Sequence, residues 1–264
     1  MAQVIYTNTY SLNAQKNLNK NSIGLSSAIE RLSSGLRVNS ARDDAAGLAV
    51  AGRMEADARG LTVALRNASD GISFGQTADG ALGTVSEILQ RMRELAVQSL
   101  NGTISDTERG YLNSEFTQLD GQITALQNAA TLNNQSVFGT FTFQVGTTSA
   151  QTLSGTFTSV ANVGGGVDTS ANATTALTNI DSRLNSVASN RAEAGAVMGA
   201  LQFRIQQIET ARENQYAARS RIMDADFAAE TANMTRAQIL QQSGTAMVAQ
   251  ANTIPQNVLT LLRG

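Results

Sequence analysis

The sequence contains no cysteine and no histidine. Their absence removes thiolate nucleophiles, disulfides, imidazole bases and every zinc site built on Cys or His ligands. There is no tryptophan, and aromatic residues make up only 5% of the chain. A thick ring-filled core is therefore out of reach. The apolar content is Ala, Leu, Ile, Val and Met, which suit narrow helix seams. A single proline, Pro255, leaves long stretches free of helix breakers. No run approaches the ~20 apolar residues of a membrane span. The opening MAQVIYTNTYSLNAQ has neither the basic region nor the apolar run of a secretory signal, so export without a cleaved signal is the expectation if the protein leaves the cell. Neither charge is in excess. The formal net charge is -2, with basic residues scattered among acidic ones, so the composition points to neither nucleic acid nor a membrane surface. There is no phosphate loop, no metal-ligand spacing and no acid–base constellation. The sequence does not read as an enzyme, and no cofactor or metal is expected.

What is present is helical periodicity. Leu177, Ile180, Leu184, Val187, Arg191, Ala194, Met198, Leu201, Ile205, Ile208, Arg212, Gln215, Arg219 and Ile222 follow a 3-4 alternation, apolar at first and polar later. At ~1.5 Å per residue such a helix is about 70 Å long, the length of a rod rather than a globule. The polar seam positions suit either plain solvation or the setting of register. Three helices are predicted before it. The first, near 5–35, places Leu18, Leu25, Ile29, Leu32 and Leu36 on one face. The second follows Ser40, whose hydroxyl is placed to cap amides near Asp43, and carries Leu61, Leu65, Ala68 and Ile72, then Leu82, Val85, Leu89, Met92 and Ala96. Asp43 and Asp44 read as first-turn residues favoured by the helix dipole rather than as a catalytic pair. The third opens on Ser105 and Glu108, a capping-box pair. A last helix, near 226–262, has its own seam of Leu240, Met247, Ile254 and Leu261 at seven-residue spacing, interleaved with Gly244, Ala251 and Val258. Asp224 and Asp226 precede it as residues that solvate or cap the joint.

The middle differs. Alternation at Phe141, Phe143 and Val145, then at Leu153 and Phe157, predicts a small β-hairpin at about 140–160, followed by a Gly/Ser/Thr loop at 161–174 around Gly164, Gly165 and Gly166. The fold class is therefore mainly α: a long coiled-coil helical rod with paired N- and C-terminal helices and a small β-hairpin. Residues 1–42 and 224–264 form a terminal coiled-coil domain in this reading, and 43–223 the rod.

The ends carry little charge: Lys16 and Lys20 in residues 1–29, Arg236 and Arg263 in residues 231–264. Ordering each residue costs about 1–2 kcal/mol of backbone entropy, and burying one Leu or Ile recovers about 1.5–3 kcal/mol. With one large apolar residue per turn the balance is near zero, so the terminal seam, Leu18, Leu25, Leu32, Leu240, Met247, Ile254, Val258 and Leu261, is expected to order on assembly with further copies.

These segments resemble bacterial flagellin. The likeness covers Asn17–Lys20, AIERLSSG at 28–35, LRVNSA at 36–41, DDAAG at 43–47, RNASDGIS at 66–73, LQRMRELAVQ at 89–98, NMTRAQILQQ at 233–242, QAN at 250–252 and PQNVL at 255–259. It implies a filament subunit whose terminal helices line an inner tube, used for motility and placed outside the cell. It also implies unfolded export through the flagellar type III apparatus, an export chaperone on the C-terminal segment, and cap and hook-junction proteins as neighbours. This sequence is a short form, without the outer domains of larger members. Within the resemblance, Arg91, Leu95 and Glu115 match positions that meet Toll-like receptor 5; the same surface suits packing against a neighbouring subunit. A hook–filament junction protein and a non-polymerising coiled-coil adaptor are the alternatives.

Overall fold

The computed structural model describes residues 7–263, with side chains as far as Thr253. In chain order these form α1 (Thr9–Ser34), α2 (Ala45–Ser99), α3 (Asp106–Ala129), β1 (Thr131–Leu132), β2 (Gln135–Ser136), β3 (Gly139–Gln144), β4 (Thr152–Phe157), α4 (Ser170–Met223) and α5 (Phe227–Arg263). The fold is mainly α, as the periodicity predicts. Packing divides the chain into two compact units, Met1–Ala56 with Gln215–Gly264, and Asp57–Asn214.

In the second unit the seams of α2, α3 and α4 close on one another. Leu82, Val85, Leu89, Met92, Phe116, Ile123, Ile180 and Val187 form a continuous buried cluster. The capping box that starts α3 is complete: the Ser105 side chain accepts from Glu108 N–H, and the Glu108 carboxylate accepts from Ser105 N–H at 2.8 Å. That backbone bond, then the Ser105 hydroxyl, lowers the Glu108 pKa. Further along, β3 and β4 pair antiparallel from Gly139↔Phe157 to Gln144↔Thr152. Their alternation sends Phe141, Phe143 and Phe157 inward beside Phe74, with the Phe74 and Phe141 rings 5.1 Å apart. The outer face carries the Thr140–Thr156 hydroxyl pair at 3.2 Å. Glycines let the hairpin approach so closely. A Cβ on Gly71 of α2 would lie 3.1 Å from the Phe143 ring, and one on Gly155 would lie 2.6 Å from Val197 Cγ1 of α4.

A second, smaller hairpin, β1–β2, went unforeseen. It turns on Asn133 and Asn134, both at positive φ (50° and 64°). Two successive left-handed residues are what a two-residue type I′ turn requires, and Asn tolerates that region. The expected loop at 161–174 also differs. α4 begins at Ser170, so its last residues are helical. The preceding strap buries Val160, Val163 and Val167. One row of α3 side chains at seven-residue spacing holds its backbone. Asn113 Oδ1 accepts from Val167 N–H at 2.8 Å and Asp120 Oδ1 from Val163 N–H at 2.8 Å. Gln127 accepts from Val160 N–H at 3.0 Å and donates to Val160 C=O at 2.8 Å.

In the first unit α1 and α5 run antiparallel. Asn8 Nδ2 donates to Ala251 C=O at 2.8 Å at one end, and Arg31 meets Glu230 at 3.8 Å at the other. α1 ends on Gly35 in the left-handed region (φ 72°), whose N–H reaches Arg31 C=O. The two helix corners then pair: Ala225 N–H donates to Gly35 C=O at 3.0 Å, and Leu36 bridges Asp224. Asp226 caps α5 by accepting from the N–H groups of Ala228 and Ala229. The cap of α2 is Asp44, which accepts from Gly47 N–H at 2.8 Å. Ser40 does not fill that role. Its N–H and hydroxyl bind Asp43 instead, and that hydroxyl, first, lowers the Asp43 pKa.

Candidate assembly surface

The fully buried positions on the shared face of α1 and α5 are small side chains. Ser11, Ala28 and Ala251 are the buried residues among the described part of the two helices. Gly244 marks the closest approach: a Cβ there would lie 3.0 Å from Leu18 Cδ1. Leu18, Leu25 and Leu32 are half-buried on the α1 face that carries Ser11 and Ala28. Ile29 is not on that face. It is 49% exposed, and Ala28 takes the seam position.

Only part of the α5 seam faces α1. Gly244 and Ala251 do so, whereas Leu240 is 43% exposed and Met247 63% exposed. Ile254, Val258 and Leu261 fall within α5, but their side chains lie outside the described residues. Leu240 and Met247 instead line a groove of about 420 Å³ along the α1–α5 pair, with Tyr10, Ala14 and Ala251 on its apolar wall and Asn13, Asn17 and Gln250 at its edge. The neighbouring face of α5 adds Ile239, also exposed. α5 thus carries apolar residues on two faces: Met234, Gly244, Val248 and Ala251 are buried or half-buried, whereas Ile239, Leu240 and Met247 turn to solvent.

A polar surface lies on the second unit. Arg91 donates to Glu94 at 2.9 Å and to Glu115 at 3.0 Å, and Arg93 pairs with Asp181 at 3.0 Å. Hydrogen bonds from Glu94, then Glu115, raise the Arg91 pKa further. Leu95 does not share this surface. It is fully buried beneath it, in the cluster that joins α2 to α3. Two of the arginines that interrupt the α4 seam also find partners: Arg191 meets Asp79 at 2.7 Å and Arg219 meets Glu55 at 3.3 Å. Among the described residues no group of three or more metal-ligating side chains occurs, and no helix is long and apolar enough to cross a membrane.

Residues 5–142 match the family model for the bacterial flagellin N-terminal helical region, and residues 177–262 match that for the C-terminal helical region. The chain belongs to the bacterial flagellin family. Flagellin of Halalkalibacterium halodurans is 42% identical over 98% of this chain and 100% of its own length. The flagellar filament 33 kDa core protein of Treponema phagedenis is 36% identical over the same shares. The crystal structure of Bacillus cereus flagellin aligns at 26% identity and a TM-score of 0.49, over 54% of this chain and 88% of that one. Flagellin is a structural protein, not an enzyme, and it polymerises with itself into the extracellular flagellar filament.

Proposed function

We propose that this flagellin joins its filament through the exposed stripe of the α1–α5 pair, with residues 1–42 and 224–264 forming the inner tube and residues 43–223 the rod. One observation carries the reading. Helices of 26 and 37 residues bury only three described residues between them, while Tyr10, Leu12, Ile23, Ile239, Leu240 and Met247 stay exposed. Monomeric proteins rarely leave so many large apolar side chains along one element, and neighbouring copies supply the missing cover. Leu18, Leu25, Leu32, Ile254, Val258 and Leu261 complete the seam in this proposal. Purified monomer added to filament seeds should give long filaments in electron micrographs. Short stubs, as from a hook–filament junction protein, or no growth, as from a coiled-coil adaptor, would overturn it.

Export follows the type III route, a chaperone holds the C-terminal segment before export, and cap and hook-junction proteins flank the growing polymer. The monomer is also a ligand of Toll-like receptor 5 through Arg91 and Glu115. Their exposure and mutual ion pair support a preformed contact. Leu95 acts there from beneath, by packing α2 against α3. Arg91→Ala should lower receptor-reporter activation by roughly tenfold or more, the loss of one charge-assisted hydrogen bond. Its melting temperature should hold, because exposed ion pairs are worth about 0–1 kcal/mol. Unchanged activation would remove Arg91 from the contact.

A further inference from the structure

We propose that Met247 is a peroxide-sensitive site, and that its oxidation to the sulfoxide blocks addition of this subunit to the filament. The inference rests on the reading that the α1–α5 groove joins subunits. With no cysteine, the seven methionines hold all the sulfur of the chain. Met92 and Met223 are buried, and Met54, Met198 and Met234 are half-buried. Among the described residues Met247 alone stands in the open, and it does so on the apolar wall of the groove beside Leu240 and Tyr10.

The chemistry needs only a peroxide. A lone pair on Met247 Sδ attacks one peroxide oxygen, the S–O bond forms and the O–O bond breaks. The departing hydroxide takes up the remaining proton and leaves as water. Sulfur loses two electrons and the peroxide gains them. The product carries a polar, hydrogen-bond-accepting S=O where an apolar thioether stood, a change that disrupts methionine-lined interfaces. In the monomer the new oxygen points into water or to the amides of Asn13, Asn17 and Gln250 at the groove edge. Covered by a second copy, it loses that solvation.

The test is hydrogen peroxide applied to purified monomer, with sulfoxides mapped by mass spectrometry and seeded growth measured alongside. Met247 should be oxidised before Met92 and Met223. The critical concentration should then rise roughly tenfold, equivalent to about 1.4 kcal/mol per added subunit. Treatment with the two methionine sulfoxide reductases should restore growth, and Met247→Leu should grow equally well with and without peroxide. In preformed filaments the residue should be protected. Fully formed Met247 sulfoxide with unchanged growth would overturn the proposal, as would loss of growth by oxidised Met247→Leu. Met247→Asp separates the two levels: growth like that of the natural chain would remove the groove from the interface, whereas blocked growth of Met247→Asp together with unchanged growth of the peroxide-treated natural chain would sink the oxidation site alone.

Discussion

Leu240→Asp should abolish seeded growth while leaving the melting transition of the monomer within about 0.5 kcal/mol of the parent, the usual scale of an exposed substitution. The two effects differ because the side chain has different surroundings in the two states. In the free chain Leu240 is exposed on the wall of the α1–α5 groove, so a carboxylate there remains hydrated. When a second copy covers the groove, the variant forfeits about 1.5–3 kcal/mol of apolar burial. It also strands an unpaired charge, a penalty of several kcal/mol. A combined loss of about 4 kcal/mol raises the critical concentration on the order of a thousandfold. Leu240→Met, which keeps volume and polarity, should grow normally. Filaments from Leu240→Asp at the parent's concentration would show that this stripe faces solvent in the polymer as well.

The same stripe marks where sequence pattern stops being informative. The heptads of α4 were legible because one face of that helix carries most of its large apolar residues, and the structure buries Ile180, Val187, Leu201 and Ile208 there. α5 has apolar residues on two faces. Periodicity groups Leu240 and Met247 with Gly244 and Ala251, but one antiparallel partner covers only one of those faces. Small residues permit close helix approach, so Gly244 and Ala251 turn to α1 and Leu240 and Met247 are left over. Ala28 displaces Ile29 in α1 for the same reason. Leu95 was misplaced for the opposite one: α2 has partners on two sides, so Leu95 and Ala96 are both buried and a surface assignment from position alone fails. The α2 cap turned on a one-residue choice among Ser40, Asp43 and Asp44, which local composition does not settle.

The strap before α4 was the least legible part, and Gln127→Leu tests what holds it. Its Gly/Ser/Thr composition reads as a solvated loop, yet Val160, Val163 and Val167 are spaced to reach the core between α3 and α4. Irregular backbone brought that deep needs partners for its N–H and C=O groups. Asn113, Asp120 and Gln127 supply them, and the Gln127 amide satisfies both groups of Val160 at once. Leucine has nearly the same volume, so the substitution leaves little cavity and isolates the polar effect. Two buried backbone groups lose their partners at about 1–3 kcal/mol each. The unit should lose roughly 3 kcal/mol, or about 6–12 °C in melting temperature for a body of this size. Amide exchange at Val160 should accelerate with it. Thr124→Ala, which removes an exposed bond to Asn162 on the same strap, should cost less than about 1 kcal/mol. Equal melting temperatures for Gln127→Leu and the parent would mean that the valines alone seat the strap. A large loss confined to Gln127→Leu would mean that the buried amide does so, and that α3 closes the rod by binding backbone as well as by packing side chains.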